Sequence, residues 1–303
     1  MKLILATNQS EKFRAFYEDI RDRVTSGLCY ASYRDLLFTF DPDSASPICV
    51  IDTVSGRHLD EFDGVYINGY MNAYELAISV AACCDFLRIP YVNQEMRDAP
   101  SLSKVSSYAK LAAAGVRVPK TYAGTKKVLV ASSRYADVEI FPAILKRSDA
   151  DRGVDNFKVT SSEHAAEILQ DYDDKSVWLL QQFILNDGFY LISYYDQEPK
   201  FSVYRTLQER PDGNVLKAHM YKPKGGINAS LVDLAEVPKI IRVECLKAIQ
   251  AMNRQIGSVD CVVDTANEQA YILEVNFNPQ LVTVETFKDV HVAALIDNLN
   301  KKW

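Results

Sequence analysis

Apolar residues in the first hundred positions fall into short runs separated by amphipathic stretches. Lys2 to Thr7 reads as a buried strand, and Ser10 to Arg23 as an amphipathic helix that Ser10 can cap. Pro47 to Thr53 and Asp63 to Gly69 read as further strands, and Met71 to Leu87 as a helix. Ile89 to Asn93 reads as a short closing strand. Strands that alternate with helices predict a small parallel α/β domain over residues 1–100, open to a substrate where its strands end.

From residue 101 the pattern changes. Ser101 or Ser103 caps a helix that Gly115 ends, and Val116 to Thr121 leads into a new unit. Phe141 to Lys146 is an apolar strand ending in a lysine, and a polar segment joins it to Phe157–Thr160. A short helix spans Glu163 to Gln170. Val177–Ile184, Phe189–Tyr195 and Lys200–Tyr204 read as strands. A helix opens at Val237-Pro238, with Pro238 at its first position, and runs to about Ile256. Antiparallel strands with helices on one side predict an α+β second half, divided at 101–180 and 181–303. There are no repeats and no low-complexity tract.

Val259-Asp-Cys-Val-Val-Asp264 and Ala270-Tyr-Ile-Leu-Glu-Val-Asn276 flank the polar stretch Thr265–Gln269 and predict a hairpin. Folding about Asn267 puts Asp264 opposite Ala270, Val262 opposite Ile272, and Asp260 opposite Glu274. Asp260, Glu274 and Asn276 then share a face. Two carboxylates that close repel each other unless a cation sits between them. Two carboxylates and an amide oxygen suit Mg²⁺, which also takes waters and phosphate oxygens. The other reading leaves one carboxylate solvated at the hairpin end.

Composition narrows the picture. The net charge of -6 gives no signature for nucleic acid or a membrane surface. No apolar run reaches the length of a membrane span, and the opening residues are too short for a signal segment. Cys29, Cys49, Cys83, Cys84, Cys245 and Cys261 form no C-x-x-C pair. They read as free core thiols of a cytoplasmic protein, with at most one of the adjacent Cys83 and Cys84 facing a core. Oligomeric state is left open.

Lys104, Lys146, Arg205, Lys222 and Lys224 sit at strand ends, a helix start or a Gly-containing loop, where a cation can reach a phosphate chain. Taken singly, each reads equally as a solvated charge. With the carboxylate pair they outline a nucleotide site, although neither G-x-x-x-x-G-K-[ST] nor G-x-G-x-x-G occurs.

The order of these motifs resembles the ATP-grasp enzymes, and among them the RimK-like ligases. Ser103-Lys104 through Gly115-Val-Arg-Val-Pro-Lys-Thr121 is similar to the family's helix and exit segment. Phe141-Pro-Ala-Ile-Leu-Lys146 is similar to its phosphate-lysine strand, and Leu180-Gln-Gln-Phe-Ile184 to its adenine hinge. Lys224-Gly-Gly226 resembles the R-G-G segment, and Asp260 with Glu274-Val-Asn276 and Pro279 the metal pattern D…E-V-N-x-x-P. The resemblance implies a pre-ATP-grasp domain followed by two ATP-grasp subdomains, with ATP and Mg²⁺, as two ions, for cofactors. It implies nucleotide contacts from Lys104, Lys146, Gly153, Gln181, Gln182, Phe183, Ile184 and Lys222. Asp260, Glu274 and Asn276 would hold metal.

The activity implied is carboxylate–amine ligation through an acyl phosphate on a peptide or small-molecule acid. Placement in the chain suggests that Arg205 and Lys224 face the acyl phosphate or the acid substrate, with Asn228 an amide donor beside them; the other reading is a surface loop without ligand contact. A thiol or hydroxyl acceptor, or a nucleotide-binding regulator without turnover, are the alternatives. The sequence departs from the family pattern in four places. The phosphate loop Ser148–Asp155 holds three aspartates and one glycine, and Gln182 replaces a glutamate. Gly188-Phe-Tyr-Leu stands where D-x-R is usual, and Gln280 follows Pro279.

Overall fold

The computed structural model describes residues 1–7, 11–40, 46–70, 73–97, 103–133, 140–150, 155–173, 175–206, 229–276 and 287–302. The chain begins β1 (Lys2–Ala6), α1 (Glu11–Arg21), β2 (Leu28–Ser32), β3 (Leu36–Phe40) and β4 (Ile48–Asp52). It continues β5 (Gly64–Ile67), α2 (Tyr74–Leu87) and β6 (Tyr91–Val92). A parallel sheet of order β2-β1-β5-β6 results, beside a β3–β4 hairpin. All five residues of β1 are buried, as a central parallel strand covered on both faces requires. Leu3 and Leu5 face Ala77, Val80 and Cys84 of α2, whereas Ile4 and Ala6 face Phe13, Phe16 and Ile20 of α1. Cys83 and Cys84 are both buried, contrary to the sequence expectation. The reason is that α2 is packed on two flanks, by the sheet and by β4 with the 94–96 turn.

Next come α3 (Lys104–Ala113), β7 (Thr121–Thr125), α4 (Lys126–Ser133), β8 (Ala143–Arg147), β9 (Asn156–Val159), α5 (Ser162–Gln170) and β10 (Val177–Gln182). Ser103 caps α3 through the Ser106 N–H, and Gly115, at φ +70°, leaves the helix in the left-handed region. The strands form an antiparallel sheet of order β7-β10-β8-β9. Leu145, Val159, Trp178 and Leu180 pack beneath Leu129 of α4 and Ala165 and Leu169 of α5. The chain leaves this sheet after β10, so the division expected at 180/181 falls inside a strand.

The third unit holds β11 (Gly188–Tyr195), β12 (Glu198–Thr206), β13 (Ala229–Val232), α6 (Lys239–Ala251), β14 (Ile256–Val263), β15 (Ala270–Asn276) and α7 (Lys288–Lys302). Its antiparallel sheet runs β13-β12-β11-β14-β15. One face, with Ile192, Tyr194, Val259, Cys261 and Ile272, packs on Ile241, Cys245 and Ala248 of α6. The other face carries Phe201 and Val203. They meet Val292, Leu295 and Leu299 of α7, which also reach Ile4 and Ala6. The last helix thus joins the third sheet to the first.

Helix α6 is shorter than its composition suggests. Pro238 is its cap rather than its first residue, and Asn253, at φ +49°, turns the chain out of the helix. That exit frees two side chains to enter the first unit. Gln255 Oε1 accepts from the Asn93 N–H (2.7 Å) and the Gln94 N–H (3.1 Å). Arg254 Nη1 donates to Glu95 Oε1 (3.2 Å) and to the Tyr70 hydroxyl (3.0 Å), and Tyr70 donates to the same carboxylate oxygen (2.9 Å). Arg254 and Glu95 are 1% and 2% exposed. Burial pushes the Glu95 carboxyl up, and Arg254 opposes that push.

A buried pair is costly to break from one side only. Arg254→Met should therefore lower stability by about 3–5 kcal/mol, because Glu95 is left buried without its cation. Urea unfolding measures this, and Arg254→Met with Glu95→Gln should lose less than the single change. A single change that costs under about 1 kcal/mol would show that the pair does not clamp the units.

Candidate active site

The β14–β15 hairpin is not the regular ladder its sequence suggests. Near the turn, Val263 pairs with Ala270, Val262 with Tyr271 and Cys261 with Ile272, one residue away from the expected register. An irregularity then follows, and Asp260 pairs with Glu274 and Val259 with Val275. Leu273 is the extra residue, making this a β-bulge. Without it Leu273 would face Asp260, and Glu274 would pair with Val259 and point to the α6 side. With it, the expected Asp260–Glu274 opposition is restored by a route the sequence did not suggest. Asp260 is buried at 3% exposure, Glu274 is half-buried, and Asn276 follows two residues on. Among the described residues no group of three or more His, Cys, Asp or Glu gathers. The oxygen set is therefore two carboxylates and an amide, a donor set that fits Mg²⁺.

Two lysines of the second unit approach from the other side. Lys146, the last but one residue of β8, is almost fully buried, its ammonium donating to Gln181 Oε1 (2.9 Å) and to the Tyr108 hydroxyl (3.0 Å). Gln181 is oriented in turn by the hydrogen bond its Nε2 donates to Thr121 Oγ1 (3.0 Å). Lys104 opens α3, and its ammonium donates to the carbonyls of Ser148 (3.3 Å) and Ala150. Lys104 and Tyr108 are one helical turn apart, so they share a face of α3. The Tyr108 hydroxyl donates onward to the Leu273 carbonyl. Ile272 N–H also reaches the Arg117 carbonyl (2.9 Å), so α3 and its exit both hold the bulged edge of the hairpin.

Cations on one wall, with a divalent cation that the paired carboxylates on the other could hold, can bridge a phosphate chain. The family model of the RimK-like ATP-grasp domain matches residues 101–299. The chain belongs to the RimK-like ATP-grasp family. No curated protein matches it in sequence. Among solved structures, it is similar to the ATP-grasp ligase PsnB complexed with minimal precursor. The TM-score is 0.68 and the identity 12%, over 98% of this chain and 97% of that one. D-alanyl-alanine synthetase A from Vibrio cholerae O1 matches with TM-score 0.65 and 15% identity, over 98% of both chains. A RiPP-associated ATP-grasp ligase from Chryseobacterium gregarium, in complex with ADP and a leader and core peptide, gives TM-score 0.64 and 13% identity. That match covers 98% of this chain and 96% of the other. The fold is that of ATP-grasp ligases, and the protein is an enzyme of that group.

Other ATP-grasp candidates are placed less simply. The hinge N–H groups of Gln182 and Phe183 donate to the carbonyls of Lys120 (2.8 Å) and Pro142 (3.0 Å). The Phe183 ring is also covered by the Lys158 ammonium at 4.3 Å, a neighbour the sequence reading missed. Ile184 is buried beside Phe189 and Val262. Arg205 lies on the Asp260 face of the third sheet, 6% exposed, its guanidinium 5.8 Å from the Phe189 ring. Burial pushes this guanidinium down and Asp260 pushes it up. Gly188, in the place of the usual D-x-R, has a steric reason to be glycine. A Cβ there would lie 2.5 Å from both the Arg205 carbonyl and the Tyr204 hydroxyl. Gly153, Lys222, Lys224, Asn228 and Pro279 lie outside the described residues.

His291 of α7 is a second residue the sequence did not single out. It stacks edge-on against Phe201 at 4.3 Å, and its buried Nδ1 has no hydrogen-bond partner among the described residues. Burial, aided by Arg205, lowers its pKa from 6.5 to about 4. The unfolded chain therefore takes up a proton near pH 6.5 that the fold refuses until about pH 4. Stability from this group is complete above pH 6.5 and is lost as pH falls to about 4, by roughly 3 kcal/mol at most. Urea unfolding at pH 7 and 4.5 should show this loss in the wild type and a smaller one in His291→Leu. Equal losses in both would contradict it.

Proposed function

We propose that the protein is an ATP-dependent carboxylate–amine ligase that acts on a peptide or amino-acid acid. The observation that carries this reading is the bulge-set opposition of Asp260 and Glu274, facing the Lys104–Tyr108–Lys146 wall. A carboxylate oxygen of the acid attacks the γ-phosphorus, and the bond to the β–γ bridging oxygen breaks, releasing ADP. The amine then attacks the acyl carbon, phosphate leaves, and the nitrogen loses its proton. No enzyme nucleophile is required, so the protein contributes positioning and charge neutralisation.

Each group has a role in this scheme. Lys146 and Lys104 neutralise phosphate oxygens, and the segment Gln181–Ile184 lines the adenine end. The Gln182 and Phe183 N–H groups are engaged with the Lys120 and Pro142 carbonyls, so adenine must be met by other groups of this segment. Asp260, Glu274 and Asn276 would hold Mg²⁺, which when bound screens the transferring phosphate. PsnB, of the same fold, was solved with minimal precursor, Mg and ADP, which supports that pairing. Arg205, beside Asp260, faces the charge that develops on the acyl phosphate. Lys222, Lys224 and Asn228 complete the substrate side. The precursor peptide in a PsnB structure and the leader and core peptide in the Chryseobacterium structure favour a peptide as the acid or amine here. No helix among the described residues is long and apolar enough to cross a membrane, and all six thiols are free. A reducing compartment, the cytoplasm, fits those thiols.

Two substitutions test the reading. Glu274→Gln keeps shape and removes the charge, so Mg²⁺-dependent ADP release should fall at least about 100-fold while the melting point holds. Turnover that remains unchanged would sink the metal assignment. Lys146→Met keeps the stem, so calorimetry should show ATP affinity weakened by about 1.5–3 kcal/mol, the worth of a charge-assisted bond. ATP binding equal to wild type would remove Lys146 from the site.

A further inference from the structure

Tyr108 touches both halves of the candidate site. Its hydroxyl accepts from the Lys146 ammonium at 3.0 Å and donates to the carbonyl of Leu273. The ammonium also lies 5.1 Å from the centre of the Tyr108 ring. Leu273 is the extra residue of the bulge, the one whose insertion turns Glu274 toward Asp260. A bulge residue is left outside the ladder of its partner strand, and here the Leu273 carbonyl takes its bond from a side chain on α3. One oxygen atom therefore connects the buried lysine of the second sheet to the backbone that aims a carboxylate of the third.

We propose that Tyr108 is a positioning residue for phosphate transfer, coupling the Lys146 ammonium to the placement of Glu274. The proposal rests on the functional reading above, in which Lys146 meets nucleotide and Glu274 meets Mg²⁺. Two consequences follow from the geometry. Tyr108 and Gln181 hold the ammonium in a buried, hydrogen-bonded position, so the cation is preorganised before nucleotide arrives. The same hydroxyl fixes the Leu273 carbonyl, and with it the bulge, so Glu274 is held on the Asp260 face. Nucleotide and metal are then bound by one connected frame, and each favours the geometry the other requires. That is a coupling free energy between two ligands, and it is reciprocal.

Tyr108→Phe removes the hydroxyl and keeps the ring. Binding of the non-hydrolysable analogue AMP-PNP is measured by calorimetry with and without Mg²⁺. In the wild type Mg²⁺ should tighten binding. In Tyr108→Phe that tightening should shrink by about tenfold, the upper worth of one neutral hydrogen bond. Binding without Mg²⁺ should change less, and the melting point should stay close to wild type. The same change made in Glu274→Gln should have no further effect on the Mg²⁺ response, since the carboxylate it positions is gone. A merely structural tyrosine would lower the melting point and act equally in both backgrounds. An unchanged Mg²⁺ response in Tyr108→Phe, with Glu274→Gln abolishing it, would overturn this proposal and leave the functional reading standing. A Mg²⁺ response that survives Glu274→Gln would remove the functional reading itself.

Discussion

One extra residue in a strand fixes the shape of the β14–β15 hairpin. The bulge at Leu273 decides which face of the third sheet receives Glu274. A one-residue slip in a strand sends a side chain to the opposite face, so a carboxylate can be in the right strand and still be useless. Here the other face carries Cys261 and Ile272, packed against Cys245 of α6, where an unpaired carboxylate would be strongly disfavoured. The face toward α7 already holds Asp260 and Arg205, both buried. Bringing a second carboxylate there opposes two like charges across a strand pair, which is unfavourable without a cation. Arg205 beside Asp260 offsets part of that repulsion, and in the proposed function Mg²⁺ offsets the rest.

The rest of the fold keeps that hairpin in place. Helix α6 covers its inner face, and α3 with its exit loop borders β15 through Tyr108 and Arg117. The chain leaving α6 sends Arg254 and Gln255 into the first unit, and α7 wedges between the first and third sheets. The parallel sheet is therefore tied to the hairpin from two directions. A substrate bound at the ends of its strands would stand in a fixed relation to the phosphate chain.

Much of this was legible in the sequence, for physical reasons that also explain the gaps. The strands β1, β5, β8, β10 and β11 are apolar runs with turn residues on both sides, and the caps of α3 follow from Ser103 and Gly115. Lys146, Asp260 and Glu274 stand out in the sequence because strand ends and alternation single them out as candidates. β7 and β13 were missed because they are short strands at sheet edges, where one neighbour suffices and the pattern is weak. Helix α7 was missed because its apolar positions serve two surfaces at once, so no single stripe stands out. The bulge was invisible, since a uniform register gave the same Asp260–Glu274 pairing. Tyr108 and His291 read as ordinary aromatic and helical residues, and only their partners across the fold give them meaning.

The most direct test of the account is where a metal ion sits. Crystals grown with AMP-PNP and Mn²⁺ allow the ion to be located by its anomalous scattering. The account predicts a peak between the carboxylates of Asp260 and Glu274, within coordination distance of both, with a nucleotide phosphate oxygen completing the shell. A bound nucleotide whose metal lies away from either carboxylate would contradict it.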